Sequence, residues 1–157
     1  MIQSIILLGA NGSGKSTIGR ELAHMLNFAH FDVEDYWFYK TDIPYTVIRP
    51  QEERNMMLLS DMKKHGSFVV SGDISGWSEE FLTMFDLAVF LTAPTEIRMK
   101  RIENREYARW GDRVCEGGDV YESQKKFREF AATRDVGLLE QRALEYAMAN
   151  QMAIEKY

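Results

Sequence analysis

The chain has 157 residues, 45% of them hydrophobic, and a formal net charge of −5. This length is typical of one domain with an ordinary core, and the acidic balance argues against nucleic acid or an anionic membrane as the main partner. Cys115 is the only cysteine and cannot form an intramolecular disulfide. No apolar run approaches the ~20 residues of a membrane span, and no secretory signal precedes Leu7. We therefore expect a cytoplasmic protein, either a monomer or a homodimer.

Strands and helices alternate through the first half of the chain. The apolar run at residues 4–8 predicts a buried strand, and a glycine-rich loop and a helix follow it. The helix has a periodic apolar face, which consists of Ile18, Leu22, Met25 and Leu26. Asn27 would end this helix, and residues 28–32 predict a second strand. Residues 32–50 are rich in aromatic and acidic side chains, and we interpret them as an irregular functional segment.

The same alternation continues to the end of the chain. A helix is predicted from Pro50 to Gly66, with Met56, Leu59 and Met62 facing inward. The later predicted elements are strands at 67–71, 86–91 and 152–156, helices at 79–84, 94–110, 119–133 and 135–150, and a glycine-bearing loop at 111–118. The spacing of Asp119 and Glu122 is that of a capping box. Strands joined by helices predict an α/β fold with a parallel sheet of four to five strands, in one domain over residues 1–157.

The segment from Gly9 to Ser16 fits the phosphate-loop pattern G-x-x-x-x-G-K-[ST] between a predicted strand and a predicted helix. Its backbone N–H groups and the helix N-terminus would hold phosphate oxygens of ATP. Lys15 would bridge the β- and γ-phosphates, and the Ser16 hydroxyl would ligate Mg²⁺. The residues predicted to bind the nucleotide here are Gly9, Asn11, Gly12, Ser13, Gly14, Lys15, Ser16 and Thr17. The alternative is an ordinary glycine-rich turn with an exposed lysine.

Acidic residues follow the second predicted strand, at the edge where open α/β sheets bind ligands. Phosphoryl transfer needs a carboxylate to orient and deprotonate the accepting hydroxyl, and often another to hold Mg²⁺. We assign Asp35 to the first role and Asp32 to the second, and Glu34 is able to replace either. Tyr36 and the aromatic residues after it would form a pocket wall. The alternative is a solvated turn whose acids cap the next segment.

With these segments, the chain resembles the small-molecule kinase branch of P-loop proteins, which holds adenylate, shikimate and gluconate kinases. The resemblance rests on residues 9–16, 32–35, 70–73 and 90–101, together with Arg105. It implies a three-layer P-loop NTPase fold with a helical lid at about residues 101–120. It also implies an ATP- and Mg²⁺-dependent transfer of the γ-phosphate to a hydroxyl of a small polar metabolite. The chain is similar, too, to uncharacterised bacterial proteins labelled only as ATPases.

Arginines recur every four residues in the predicted lid, at Arg101, Arg105, Arg109 and Arg113. On a helix this spacing places them on one slowly drifting stripe. The resemblance implies that Arg101 lies near the nucleotide base, and that Arg105, Arg109 or Arg113 reaches the phosphates as a catalytic group. The alternative is an exposed helix whose arginines form ion pairs with neighbouring acids.

The turn after the third predicted strand contains Gly72, Asp73 and Trp77, which we assign to acceptor binding, although a simple tight turn explains them equally well. Two other functions remain open. A nucleoside monophosphate kinase would need arginines near the acidic turn, where Arg49 and Arg54 are the candidates. A nucleotide-binding regulatory protein with slow ATPase activity would not need the carboxylate base. The missing Asp-Glu pair after an apolar run argues against a motor ATPase.

Overall fold

The computed structural model describes residues 1–150 and the backbone of residues 154–156. Within these residues the strands are β1 (Ser4–Gly9), β2 (Ala29–Asp32), β3 (Phe68–Ser71), β4 (Leu87–Leu91) and β5 (Ile154–Lys156). The α-helices are α1 (Lys15–Leu26), α2 (Val33–Trp37), α3 (Gln51–His65), α4 (Thr95–Trp110), α5 (Tyr121–Ala132) and α6 (Val136–Ala149). Short 3₁₀ turns lie at Glu79–Thr83 and Gly111–Val114. The predicted start of the last strand, at residue 152, lies outside the described residues.

The five strands form one sheet in the order β2-β3-β1-β4-β5, and every neighbouring pair is parallel. The central strand β1 is completely buried, with Ile6 level with Val70 on β3 and Ala88 on β4. The chain moves to one side of β1 for β2 and β3 and to the other for β4 and β5, so a topological switch lies at the carboxyl end of β1. The predicted parallel α/β sheet is confirmed.

Helices cover both faces of the sheet and produce the three layers. One core lies between the sheet and helices α3 and α6, and contains Leu58, Met62 and Tyr146. A second core lies between the opposite face and α1, where Ala23 packs against residues of β1 and β3. In the part of the chain that the structure describes, no helix combines the length and the apolar character that a bilayer crossing requires.

Helix α1 packs on the sheet mainly through its small residues, and the predicted apolar face is wrong except at Leu22, which packs against the core. The predicted residues Ile18, Met25 and Leu26 are 43%, 80% and 43% exposed. Gly19 and Ala23 are buried instead. A Cβ atom on Gly19 would lie 2.0 Å from the Ser71 Oγ atom, so the helix approaches β3 more closely than any side chain would allow. Apolar periodicity misses such a contact because it scores large side chains.

Three further local predictions differ from the structure. Met56 is 72% exposed, because α3 turns Leu58 inward beside the correctly predicted Met62 and Leu59. The segment after β2 is not wholly irregular, since α2 occupies its first residues. The capping box at Asp119 does not form, because its carboxylate pairs with Arg113 and no side chain caps α5.

Candidate active site

The phosphate loop connects β1 to α1 at the carboxyl edge of the sheet. Gly12 and Gly14 have φ angles of 82° and 104°, in the region that favours glycine. A Cβ atom on Gly12 would lie 2.6 Å from the Arg98 carbonyl oxygen, so a side chain at Gly12 would collide with α4. The loop lines a cleft of about 850 Å³ with Gly9, Asn11, Gly12, Gly14, Lys15, Ser16 and Thr17. The Ser13 side chain is buried, and Ser13 does not line the cleft.

Lys15 brings a desolvated ammonium group to this end of the cleft. Its Nζ atom donates one long hydrogen bond, 3.4 Å, to the Ala10 carbonyl oxygen. Burial lowers the pKa of Lys15 to about 8, although the carboxylates of Glu34 and Asp32 act in the opposite direction. A poorly solvated cation beside phosphate-binding amides is suited to bind a polyanion.

The acidic turn after β2 is organised by helix α2. Asp32 is the N-cap of this helix, and its Oδ1 atom accepts a hydrogen bond from the Glu34 backbone N–H at 3.1 Å. Asp32 and Glu34 both line the cleft. Burial, reinforced by the Asp32 charge, raises the pKa of Glu34, while Arg105 and Lys15 act to lower it. The result is a half-buried carboxylate that faces the phosphate loop.

Asp35 and Tyr36, which the sequence places at the acceptor site, do not line the cleft. Asp35 is exposed, because consecutive residues of a helix point about 100° apart and Glu34 already faces inward. Tyr36 is buried, and its hydroxyl donates a 2.5 Å hydrogen bond to Asp61 on α3. Geometry therefore favours Glu34, the stated substitute, over Asp35 as the carboxylate that meets an accepting hydroxyl.

The far end of the cleft contains Gly72, Asp73 and Trp77, as the sequence predicts. Two arginines lie beside them. Arg54 is buried, with its guanidinium 4.0 Å from the centre of the Trp37 ring and 4.9 Å from that of Trp77.

Arg142 comes from α6 and forms an ion pair with the Asp73 carboxylate, 69 residues away along the chain. Sequence reasoning missed Arg142, because nothing local to α6 indicates which end of the sheet that helix reaches. It considered Arg54 only as a possible phosphate ligand.

Of the four arginines in the predicted stripe, two line the cleft and two do not. Arg101 and Arg105 line the cleft, and Arg101 donates a 3.2 Å hydrogen bond to the Gly12 carbonyl oxygen. Arg109 instead donates to the Tyr45 hydroxyl at 2.9 Å. Arg113 is bound to Asp119 at 2.8 Å. Each four-residue step turns the stripe by about 40°, and α4 ends at Trp110, so the later arginines leave the cleft.

Positive charge is concentrated in the cleft of this acidic chain. The lining cations are Lys15, Arg54, Arg101, Arg105, Arg134 and Arg142, and the lining acids are Asp32, Glu34 and Asp73. Arg134 was also missed by the sequence; its guanidinium lies 5.0 Å from the centre of the Phe130 ring, on the wall that α5 contributes. Such a local surplus attracts a polyphosphate despite the overall negative charge.

The residues predicted to hold Mg²⁺ suit that ion. Ser16 and Asp32 line the same cleft, one on the phosphate loop and the other at the end of β2. They offer a hydroxyl and a carboxylate oxygen, which are the donor types that Mg²⁺ accepts together with phosphate oxygens and water.

Comparisons with known proteins agree with this geometry. Residues 5–124 match the model of a family described as AAA domain. The chain is 36% identical to the uncharacterised Bacillus subtilis protein YqaC over 143 residues, 91% of this chain and 79% of that protein. It is 28% identical to an Enterococcus faecalis shikimate kinase over 144 residues, 83% and 86% of the two chains.

Among solved structures, a shikimate kinase from Acinetobacter baumannii in complex with shikimate has the same fold. The TM-score is 0.50 at 21% identity, covering 100% of this chain and 85% of that one. A P-loop protein is indicated by the parallel sheet with its phosphate loop, by the family match and by these relatives. The chain therefore belongs to the AAA domain family, and its relatives and fold fit the small-molecule kinase branch of P-loop proteins.

Proposed function

We propose that this protein is a phosphotransferase that moves the γ-phosphate of ATP to a hydroxyl of a small polar metabolite. One observation carries the proposal: a single cleft joins a phosphate loop to a second end with its own carboxylate and cations. A protein that only bound or hydrolysed ATP would need no such second end.

The transfer would proceed in line between the two ends of the cleft. The hydroxyl proton of the acceptor passes to the Glu34 carboxylate as the acceptor oxygen bonds to the γ-phosphorus atom. The bond from that phosphorus to the bridging oxygen breaks, and its electron pair leaves with ADP. Because burial raises the pKa of Glu34, this carboxylate is a stronger proton acceptor than an ordinary exposed one.

Cations of the cleft would stabilise the charge of the transferring group. Lys15 and Arg105 lie on the side where the phosphates would bind, and their charges act on the pKa of Glu34 as well. Mg²⁺, held by Ser16 and Asp32, would supply further charge neutralisation on the phosphate oxygens. Arg101 would contact the nucleotide from the lid side.

The far end of the cleft supports an acceptor with an anionic group. Arg54 is buried beside two indole rings, and Arg142 is held by Asp73, so both guanidinium groups are fixed in position. A small hydroxylated carboxylate would suit this arrangement, and shikimate, which the A. baumannii enzyme binds, is one example.

A nucleoside monophosphate as acceptor is the second candidate, since Arg54 does line the acceptor end. It is less favoured, because a phosphate dianion requires more positive charge than this end provides. Arg142 is already neutralised by Asp73, and Arg54 donates one amino group to the Arg49 carbonyl oxygen at 3.1 Å.

Pooled substrates test the proposal. The protein is incubated with Mg·ATP and, in separate reactions, with hydroxycarboxylates, neutral polyols or nucleoside monophosphates, and ADP release is measured. We expect the hydroxycarboxylate pool to raise ADP release, Glu34→Gln to remove the increase and Asp35→Asn to retain it. The proposal fails if no pool raises ADP release and Glu34→Gln leaves the basal rate unchanged, which is the behaviour of a regulatory protein with slow ATPase activity.

A further inference from the structure

A second, smaller cavity of about 110 Å³ opens beside the main cleft. It lies between the segment after α2 and the helices α4 and α5. Glu34, Phe38, Arg105 and Phe127 line both spaces, so the cavity continues the cleft past the proposed catalytic carboxylate. The phosphoryl transfer described above does not use it.

Glu106 gives this side cavity an unsatisfied acceptor. The residue lies on α4, is 3% exposed and lines the cavity. Its Oε2 atom accepts a 2.6 Å hydrogen bond from Arg128 on α5. Its Oε1 atom is buried and has no hydrogen-bond partner among the described residues. A buried carboxylate oxygen is normally paired, and an ion pair with Arg128 alone does not account for the second oxygen.

Tyr45 forms part of the wall of the side cavity. This residue has a φ of 59° and bonds through its hydroxyl to Arg109. Its ring packs edge-on against Trp110 at 6.2 Å and Phe38 at 5.4 Å between ring centres. These contacts join the segment after α2 to the end of α4 beside the side cavity.

We propose that the side cavity is a specificity subsite that takes a neutral hydrogen-bond-donating arm, a hydroxyl or a carboxamide, whose donor meets the Glu106 Oε1 atom. The volume is that of about four water molecules, which suits a group of that size. The claim that this arm is part of the phosphate acceptor rests on the proposed function. The claim that the side cavity binds such a group does not.

The charges around the cavity select a neutral group. Arg105 and Arg109 line the cavity, so an ammonium ion would meet two guanidinium groups. An anion would meet the carboxylates of Glu34 and Glu106. A neutral donor can bond to the Glu106 Oε1 atom and is repelled neither by the guanidinium groups nor by the carboxylates.

Acetamide and acetone test the subsite because they are nearly equal in size, and only acetamide can donate a hydrogen bond. The readout is the indole N–H resonance of Trp110 in the ¹⁵N-labelled full chain, assigned with Trp110→Phe. We expect acetamide to shift this resonance saturably, and acetone and methylammonium to bind at least about tenfold more weakly. No saturable shift with acetamide, or equal affinities for acetamide and acetone, would overturn the proposal, and this comparison requires no cavity variant.

Glu106→Gln sharpens the test. Because Arg128 requires an acceptor, the amide oxygen of the new residue should face Arg128 and its NH₂ group should face the cavity. The preference for acetamide over acetone should then disappear, whereas Glu103→Gln, at an exposed position of the same helix, should keep it. An unchanged preference in Glu106→Gln would contradict the assignment. Failure of every substrate pool would refute the proposed function but would leave these binding results intact.

Discussion

The two ends of the cleft are built in different ways. The phosphate end comes from one continuous segment, residues 9–17, in which the glycine backbone and a single lysine determine the geometry. The acceptor end is assembled from α2, α3, the turn after β3 and α6. A local segment can be recognised from its sequence alone, whereas an assembled site depends on which helices the fold brings together.

Removing the Glu34 carboxylate should impair the acceptor end more than any other single change. Because Glu34 would accept the hydroxyl proton, Glu34→Gln should lower kcat for phosphoryl transfer by about 10²–10⁴-fold. Asp35→Asn should stay within about twofold, since Asp35 is exposed and outside the cleft. Steady-state kinetics with the acceptor found in the pools measures both. The reverse ranking would restore Asp35, the residue chosen from the sequence.

The phosphate end should depend most on Lys15. Lys15→Met keeps the length of the side chain but removes the ammonium that would stabilise the transferring phosphate, so kcat/KM for ATP should fall by about 10²–10³-fold. Lys63→Met, at an exposed position on α3, is the matched control and should be close to wild type. Equal activities for the two variants would exclude Lys15 from the phosphate site.

One added methyl group at Gly19, where the two ends of the cleft meet, should lower the stability of the protein. Gly19 lies where α1, which carries the phosphate loop, meets Ser71 of β3. Gly19→Ala should therefore lower the free energy of unfolding by about 1–3 kcal/mol through overpacking. Ile18→Ala, on the predicted but exposed face, should cost less than about 1 kcal/mol. Urea unfolding compares them, and a greater loss in Ile18→Ala would support the original prediction for this helix.

A pH titration gives the smallest expected effect. Because the pKa of Lys15 is about 8 in the folded protein, raising the pH from 7 to 9 deprotonates the free enzyme at this position. ATP binding requires the ammonium, so the Kd for ATP should rise by about tenfold over this interval. Lys15→Arg keeps its charge and should show a flat profile. A flat wild-type profile would mean that Lys15 stays protonated or does not contact the phosphates.

The sequence predicted the phosphate end more fully than the acceptor end, for identifiable physical reasons. The loop pattern carries its own geometry, and the alternation of strands and helices was enough for a parallel sheet. The choice between Glu34 and Asp35 required knowing that α2 starts at Val33, because only a helix fixes which of two adjacent acids faces inward. The local pattern allowed these acids to cap the next segment, but it did not decide between a capped helix and an irregular segment.

Long-range contacts explain the remaining differences. Arg142 and Arg134 reach the cleft only because α5 and α6 return to the carboxyl edge of the sheet. Arg109 lies beyond the cleft on the drifting stripe, where Tyr45, from a distant segment, accepts its hydrogen bond. Such partners are chosen by the tertiary structure, and helical periodicity has no information about them.

The fate of the γ-phosphate is the most direct test that the cleft transfers phosphate between its two ends. With ATP labelled at the γ-phosphorus and the hydroxycarboxylate pool present, we predict that the label appears on an organic product, and that Glu34→Gln prevents its formation. Label recovered only as inorganic phosphate, at the same rate with and without the pool, would contradict the account and identify the protein as an ATPase.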